Sequence, residues 1–205
     1  MSQLLGFEHR PFPVLTPQQR FHLDRDGFVV LLSVLSEAET AVLYAEIQQL
    51  HTDLIDMTDA AGAEEELQLR GAYLRGYDRS RPRGAFAQHG IGNLISCGGA
   101  ITGYACHPRL VSAAEELLGG EARIVEQNCI INRRDDTVAG ERGRHGVGEN
   151  FVPPWHRGAD ISSSSHVQNG LLHCDFVKTL TNLTPLGEGD GGTLVILGQP
   201  PICHH

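Results

Sequence analysis

The chain lacks any paired-cysteine pattern. Its five cysteines, Cys97, Cys106, Cys129, Cys174 and Cys203, are odd in number, and no two of them form a C-x-x-C. That argues against a disulfide framework and a zinc knuckle, and fits a reducing compartment. Also missing is an apolar run long enough to span a bilayer, or a basic-then-apolar leader. Cytoplasmic residence without a membrane partner is therefore the expectation. Positive charge is scarce as well. The formal net charge is -9 over 205 residues, so no nucleic-acid footprint is expected. The local basic spots, Arg81-Pro82-Arg83, Arg133-Arg134 and Arg142 with Arg144, read either as solvated loops or as contacts to an anionic substrate group. No phosphate-binding or dinucleotide fingerprint is present. "GEGDGG" is a turn between strands, and "CGGAITG" lacks the strand-to-helix context such a loop needs.

What is present suits one globular domain: 40% hydrophobic and 20% charged residues in a chain long enough for a real core. Thr16-Pro17-Gln18-Gln19 reads as a capping box with proline at the first helical position, and Gly27 as the stop of a short helix. "FVVLL", Phe28 to Leu32, reads as a buried strand. Ser36-Glu37-Ala38-Glu39 is a second capping box. Behind it Ala38, Val42, Leu43, Ile47 and Leu50 recur at helical spacing, predicting a helix to about Leu54. Residues 71–103 are rich in Gly and Arg and give weak signals. His107-Pro108 opens a helix that Gly119-Gly120 ends, and "ARIVEQNCIINRR" reads as a strand. A polar, Gly-rich loop spans Asp135 to Asn150. Further strands are expected over Leu171 to Leu183 and at "TLVIL". Helices first and strands after predict an α+β domain built on antiparallel β structure.

Two places offer ligands to a metal. In "HCD", His173 and Asp175 share a strand face with Val177, Thr179 and Thr181 if the strand is regular. An imidazole and a carboxylate on one face suit a non-haem iron site, or equally a buried His–Asp hydrogen bond. In "PPWHRGAD", the paired prolines extend the backbone and His156 ends a strand, with Asp160 a bend away. Asn128 and Asn132 share a strand face and are candidate contacts to a cofactor or second-layer hydrogen-bond donors. Cys174 falls on the face opposite His173, which disfavours a Cys–His nucleophile there. His204 and His205 read as a frayed tail.

Two stretches carry a family resemblance. "DRDGFVVLLSVLSEAETAVLYAEIQQL" resembles the opening of the phytanoyl-CoA dioxygenase-like family, and "FVKTLTNLTPLGEGDGGTLVILG" its central hairpin, in the same order. The resemblance runs nearly to Gly198, within a single domain over 1–205, and leaves 199–205 as a tail outside the pattern. It implies a double-stranded β-helix (a jelly roll) with flanking N-terminal helices, Fe(II) as metal and 2-oxoglutarate as cosubstrate. Implied partners are dioxygen and a small organic or acyl substrate to be hydroxylated or halogenated. By that resemblance His156 is a metal ligand with Asp160 beside it, His173 and Asp175 are the alternative pair, and Asn128 and Asn132 contact the cosubstrate. The family's second ligand position reads Gly158, which implies either a place for halide, as in related halogenases with a small residue there, a carboxylate supplied by Asp160 or Asp175 instead, or a lost iron site. The family pattern continues past Gly198 and this sequence does not follow it, so a C-terminally shortened barrel is expected, with an open edge prone to self-association. The rival expectation is an inactive jelly-roll fragment with a binding or regulatory role.

Overall fold

The computed structural model describes residues 13–61, 67–80, 82–83, 88–132, 165–169, 171–187, 193 and 195. Helix α1, Pro17–Asp26, starts as its sequence dictates. Thr16 Oγ1 accepts from the Gln19 N–H at 3.2 Å, and the Gln19 side chain accepts from the Thr16 N–H at 2.9 Å. It stops at Gly27, whose φ of 80° lies in the left-handed region. Helix α2, Glu37–Ala61, has 25 residues. Its capping box is complete: Glu39 N–H donates to Ser36 Oγ, and the Glu39 carboxylate accepts from both the Ser36 N–H and its hydroxyl.

The expected end of α2 near Leu54 is too early by about two turns. Ile55 is buried and Met57 packs on the core, so the apolar stripe continues among acidic neighbours. Strands β1 (Gln68–Leu69), β2 (Ala72–Arg75), β3 (Gln88–Gly92) and β4 (Cys129–Asn132) follow α2. They form an antiparallel sheet in the order β1-β2-β3-β4. Between β3 and β4 lie a 3-10 turn at Leu94–Ser96, α3 (Gly99–Ala105) and α4 (Pro108–Leu118). The predicted stop of α4 is met at Gly119, with φ of 69°. Helices and an antiparallel sheet make this an α+β chain.

The main core lies between α2 and the sheet. Leu43, Ile47, Leu50 and Leu54 of α2 recur at 3–4 residue spacing and meet Ala72 of β2 and Ile91 of β3. Leu94, Cys97 and Ile101 close one side. Leu50 and Leu54 are fully buried, each worth ~1.5–3 kcal/mol of transfer free energy. Glu46 fixes the helix lengthwise: its carboxylate accepts from the Ala100 N–H at 2.8 Å and the Ile101 N–H at 3.3 Å, serving donors that the first turn of α3 leaves unpaired. A second, smaller cluster joins Leu15, Leu23 of α1 and Ala113 of α4.

Three expected strands are corrected. "FVVLL" belongs to no ladder. Val29 and Leu31 pack on the second cluster while Val30 and Leu32 are 64% and 76% exposed. The alternation is real, but α1 and α4 supply the surface instead of a neighbouring strand. Arg109 takes up the Ser33 carbonyl at 2.6 Å and the Leu32 carbonyl at 3.4 Å. The strand read over "ARIVEQNCIINRR" narrows to β4, with residues 121–128 outside any ladder. The strand read over 171–183 narrows to β6, Leu171–Cys174, which pairs antiparallel with β5, Ser165–Gln168, through a hairpin where Asn169 has φ of 54°. Residues 175–187 pair with nothing in a ladder. They are drawn against the core by Leu183 and by the Tyr104 hydroxyl, which donates to Thr181 Oγ1 at 2.7 Å. "TLVIL" lies outside the described residues but for Thr193 and Val195, neither in a strand, and the 135–150 loop lies wholly outside them.

Glycine at 92 is a packing requirement. A Cβ there would stand 2.5 Å from Tyr73 Cζ, because the Tyr73 ring lies flat across its cross-strand partner. Gly92→Ala is expected to cost ~1–3 kcal/mol by overpacking. The double variant with Tyr73→Ala should recover part of that loss, measured by urea denaturation. Equal, additive losses would mean that the ring does not set the constraint.

Candidate functional site

The sheet has two faces and they divide the polar chemistry. Toward α2 point Ala72, Leu74, His89, Ile91, Cys129 and Ile131, by the register of the three inner strands. Away from it point Tyr73, Arg75, Gln88, Ile130 and Asn132. On that outer face the Arg75 guanidinium sits 4.9 Å from the Tyr73 ring centroid and donates to its hydroxyl. Beside it the Gln88 amide donates to Asn132 Oδ1 at 3.0 Å, joining β3 to β4.

The predicted site residues fare unevenly. Asn132 stands on the outer face, exposed. Asn128 lies just before β4, exposed. It accepts from the Asn93 N–H at 3.2 Å and donates to Glu126 at 2.7 Å, so it ties two loops together. At ~3.3 Å rise per residue the two asparagines are about 13 Å apart along the strand direction and could not both grip the same small group. His173 lies on β6 with His166 as its cross-strand partner. Asp175 follows the end of that strand and is exposed, so the expected shared strand face of His173 and Asp175 is interrupted by the strand's end at Cys174. His156, Gly158 and Asp160 lie outside the described residues. Among the described residues no three His, Cys, Asp or Glu side chains gather in a way that could hold a metal.

The cluster that the sequence reading missed lies on the inner side. His51 continues the apolar stripe of α2, four residues after Ile47, and His89 sits two residues before Ile91 on the same face of β3. Their exposures are 7% and 2%. His51 Nε2 and His89 Nδ1 are 2.9 Å apart, so one imidazole donates to the other's ring nitrogen according to tautomer. The Tyr77 ring meets His89 edge-on at 5.5 Å. Its hydroxyl donates to Asp59 Oδ1 at 2.6 Å. Arg83 then closes the end of α2, reaching Asp59 and Asp56 at 2.6 Å each.

Electrostatics follows from burial. His89 is pushed down to about 4, first by loss of hydration and then by the neighbouring His51. Burial lowers His51 as well. At neutral pH both rings are therefore uncharged. The hydroxyl of Tyr77 holds Asp59 below the usual carboxylate range, with Arg83 adding to the effect. Burial and the bond to Asp59 raise Tyr77. Burial drives the Cys129 thiol up to about 11 and also raises Cys97 and Cys174. None of these three offers a thiolate at neutral pH. A neutral imidazole pair can relay a proton between two rings, but its burial keeps substrate away from it. The signal for His51 was legible as a histidine on the apolar stripe. His89 sits in "QHGIG", where two glycines hide the strand.

No family model matches the chain, and neither any curated protein nor any solved structure is significantly similar to it.

The pair fixes a pH dependence. An unfolded imidazole titrates near 6.5 and His89 near 4, so between those values the unfolded chain binds more protons. The stabilisation is whole above pH 6.5 and is lost as the pH falls toward 4. The unfolding free energy is expected to drop by roughly 2–3 kcal/mol over that window. His89→Gln should flatten the slope. Denaturant midpoints at pH 7, 6, 5 and 4.5 measure it, and a level profile in the parent protein would refute the assignment.

Proposed function

We propose that the chain is an oxygenase-type jelly-roll protein of the phytanoyl-CoA dioxygenase-like kind, using Fe(II), 2-oxoglutarate and dioxygen to hydroxylate or halogenate a small organic or acyl substrate. One observation carries the reading beyond the resemblance. Asn132, expected to contact the cosubstrate, stands on the sheet face turned away from α2, beside the Gln88 amide and with Arg75 on the same face. A jelly roll whose first sheet is backed by helices presents its other face to the barrel interior, where a small anionic cosubstrate would meet amide and guanidinium donors.

The described residues by themselves do not make a donor set for iron. The donors this reading needs, His156 with Asp160, lie outside them, and no step is drawn through the metal. When bound, iron would supply the oxygen chemistry. The part of the described chain is to present polar side chains on one sheet face and to hold that sheet flat against α2.

A second reading has its own observation. A convergent group of titratable side chains, His51, His89, Tyr77 and Asp59, is built into the fold and not onto the outer face. That favours a scaffold that keeps the jelly-roll architecture and binds without turnover.

Anaerobic loading with Fe(II), followed by 2-oxoglutarate, ascorbate and air, separates the two. The oxygenase reading expects succinate in amounts that depend on iron. It expects His156→Ala to abolish this and Asn132→Ala to raise KM for 2-oxoglutarate several-fold with a smaller change in kcat. Absence of succinate together with absence of Fe(II) or 2-oxoglutarate binding by calorimetry would leave the non-catalytic scaffold.

A further inference from the structure

The histidine pair does more than stabilise. We propose that His51 and His89 form an acid-operated latch: proton uptake by the pair releases the C-terminal half of α2, residues 51–61, from the sheet while its N-terminal half stays docked. This inference is independent of the oxygenase reading.

The two halves of α2 are held in different ways. The N-terminal half has its capping box, Leu43, Ile47 and Leu50 in the core, and Glu46 bonded to the backbone of α3. That set contains no imidazole. The C-terminal half is held by Leu54, Ile55, the imidazole pair and the Tyr77–Asp59–Arg83–Asp56 clasp. Its last turn contains no basic residue, and Asp59 there opposes the helix dipole. It is the half with less to hold it once the pair fails.

Among the described residues, the carboxylates nearest along α2 already have other partners. From α2 come Asp53, Asp56 and Asp59, of which Asp59 is engaged by Tyr77 and Arg83, Asp56 by Arg83, and Asp53 by Gln49. The segment after β2 brings the Tyr77 ring edge and, further out, Asp78, Arg79 and Arg83. On β4 the inward titratable group is Cys129, held as a thiol, and on α3 it is Tyr104, bonded to Thr181. β1 and the 3-10 turn carry no titratable side chain, and Arg75 of β2 points to the opposite face. A proton on either ring also turns an acceptor nitrogen into a donor. A doubly protonated pair loses the 2.9 Å hydrogen bond outright and sets two cations against each other.

Amide hydrogen exchange tests the latch in the whole chain. Protection factors, corrected for the intrinsic pH effect, are expected to fall 10- to 100-fold for amides 55–61 between pH 7 and pH 4.5. Those of 41–47 and of β2, which open only with the whole chain, should fall no further than the global unfolding free energy does and stay at least about tenfold above those of 55–61. In His89→Gln the 55–61 amides should keep their protection at pH 4.5. Equal protection of 55–61 and of 41–47 at pH 4.5, or the same fall of 55–61 in His89→Gln, would overturn the proposal. Should that variant not fold, the imidazole carbon shifts of the parent protein decide: His89 must titrate at about 4 and His51 below its ordinary value, and either one titrating near the usual 6.5 refutes the latch.

Discussion

The docking of one helix on one sheet face is the constraint on which the rest depends. α2 is the longest element, and its stripe Leu43, Ile47, Leu50 and Leu54 is the largest contribution to the main core. A helix propensity of a few tenths of a kcal/mol per residue cannot hold such a segment in place by itself; burial of that stripe does. Once the stripe is seated, the inward face of β2, β3 and β4 must be apolar, and it is, except at His89. The outward face is then freed from packing and carries Tyr73, Arg75, Gln88 and Asn132.

Placing imidazoles at that helix–sheet junction costs hydration that leucine would not lose. The cost is offset only while one of the two facing nitrogens stays unprotonated, so that one ring donates and the other accepts. The junction is thus conditional in a way that the Leu50 and Leu54 contacts are not. Tyr77 closes the open side of His89 and passes its hydroxyl to Asp59, so the same residue screens the pair from water and anchors the end of the helix. Loss of any one of these contacts is expected to be felt by the others, as in any shared network.

Local rules carried the reading wherever the signal itself was local. Both capping boxes, the proline starts of α1 and α4, and the stops at Gly27 and Gly119 could be read because each is decided within four residues. The α+β class followed from their order. Strands were harder, since a strand is defined by a partner far along the chain. "FVVLL" alternates as a strand should, yet its neighbours are two helices. β3, with glycine at 90 and 92, has the pairing without the pattern, because Tyr73 and Arg75 lie over those positions. The dipeptide Asn169-Gly170 is a turn signal in the sequence, and Asn169 stands in the left-handed region between β5 and β6. For the candidate site, Asn132 could be placed from alternation alone. The His51–His89 pair joins residues 38 apart in sequence, and no spacing rule announces it.

The alternation of β3 settles how the two kinds of chemistry can coexist on one sheet. His89 and Ile91 face the core, Gln88 and Gly90 the other side. A slip of one residue would expose the imidazole and bury the amide, so register and function are set together. The imidazole pair is available to protons, which cross a packed core through brief openings, and not to a substrate. Among the described residues, the polar side chains that the outer sheet face offers are amides and a guanidinium. Those groups bind and orient; they do not by themselves transfer protons or electrons at neutral pH. An oxygenase built on this sheet therefore has to draw its reactive centre from elsewhere in the chain. The helix behind the described face holds the sheet in register, the rigidity that recognition on that face would need.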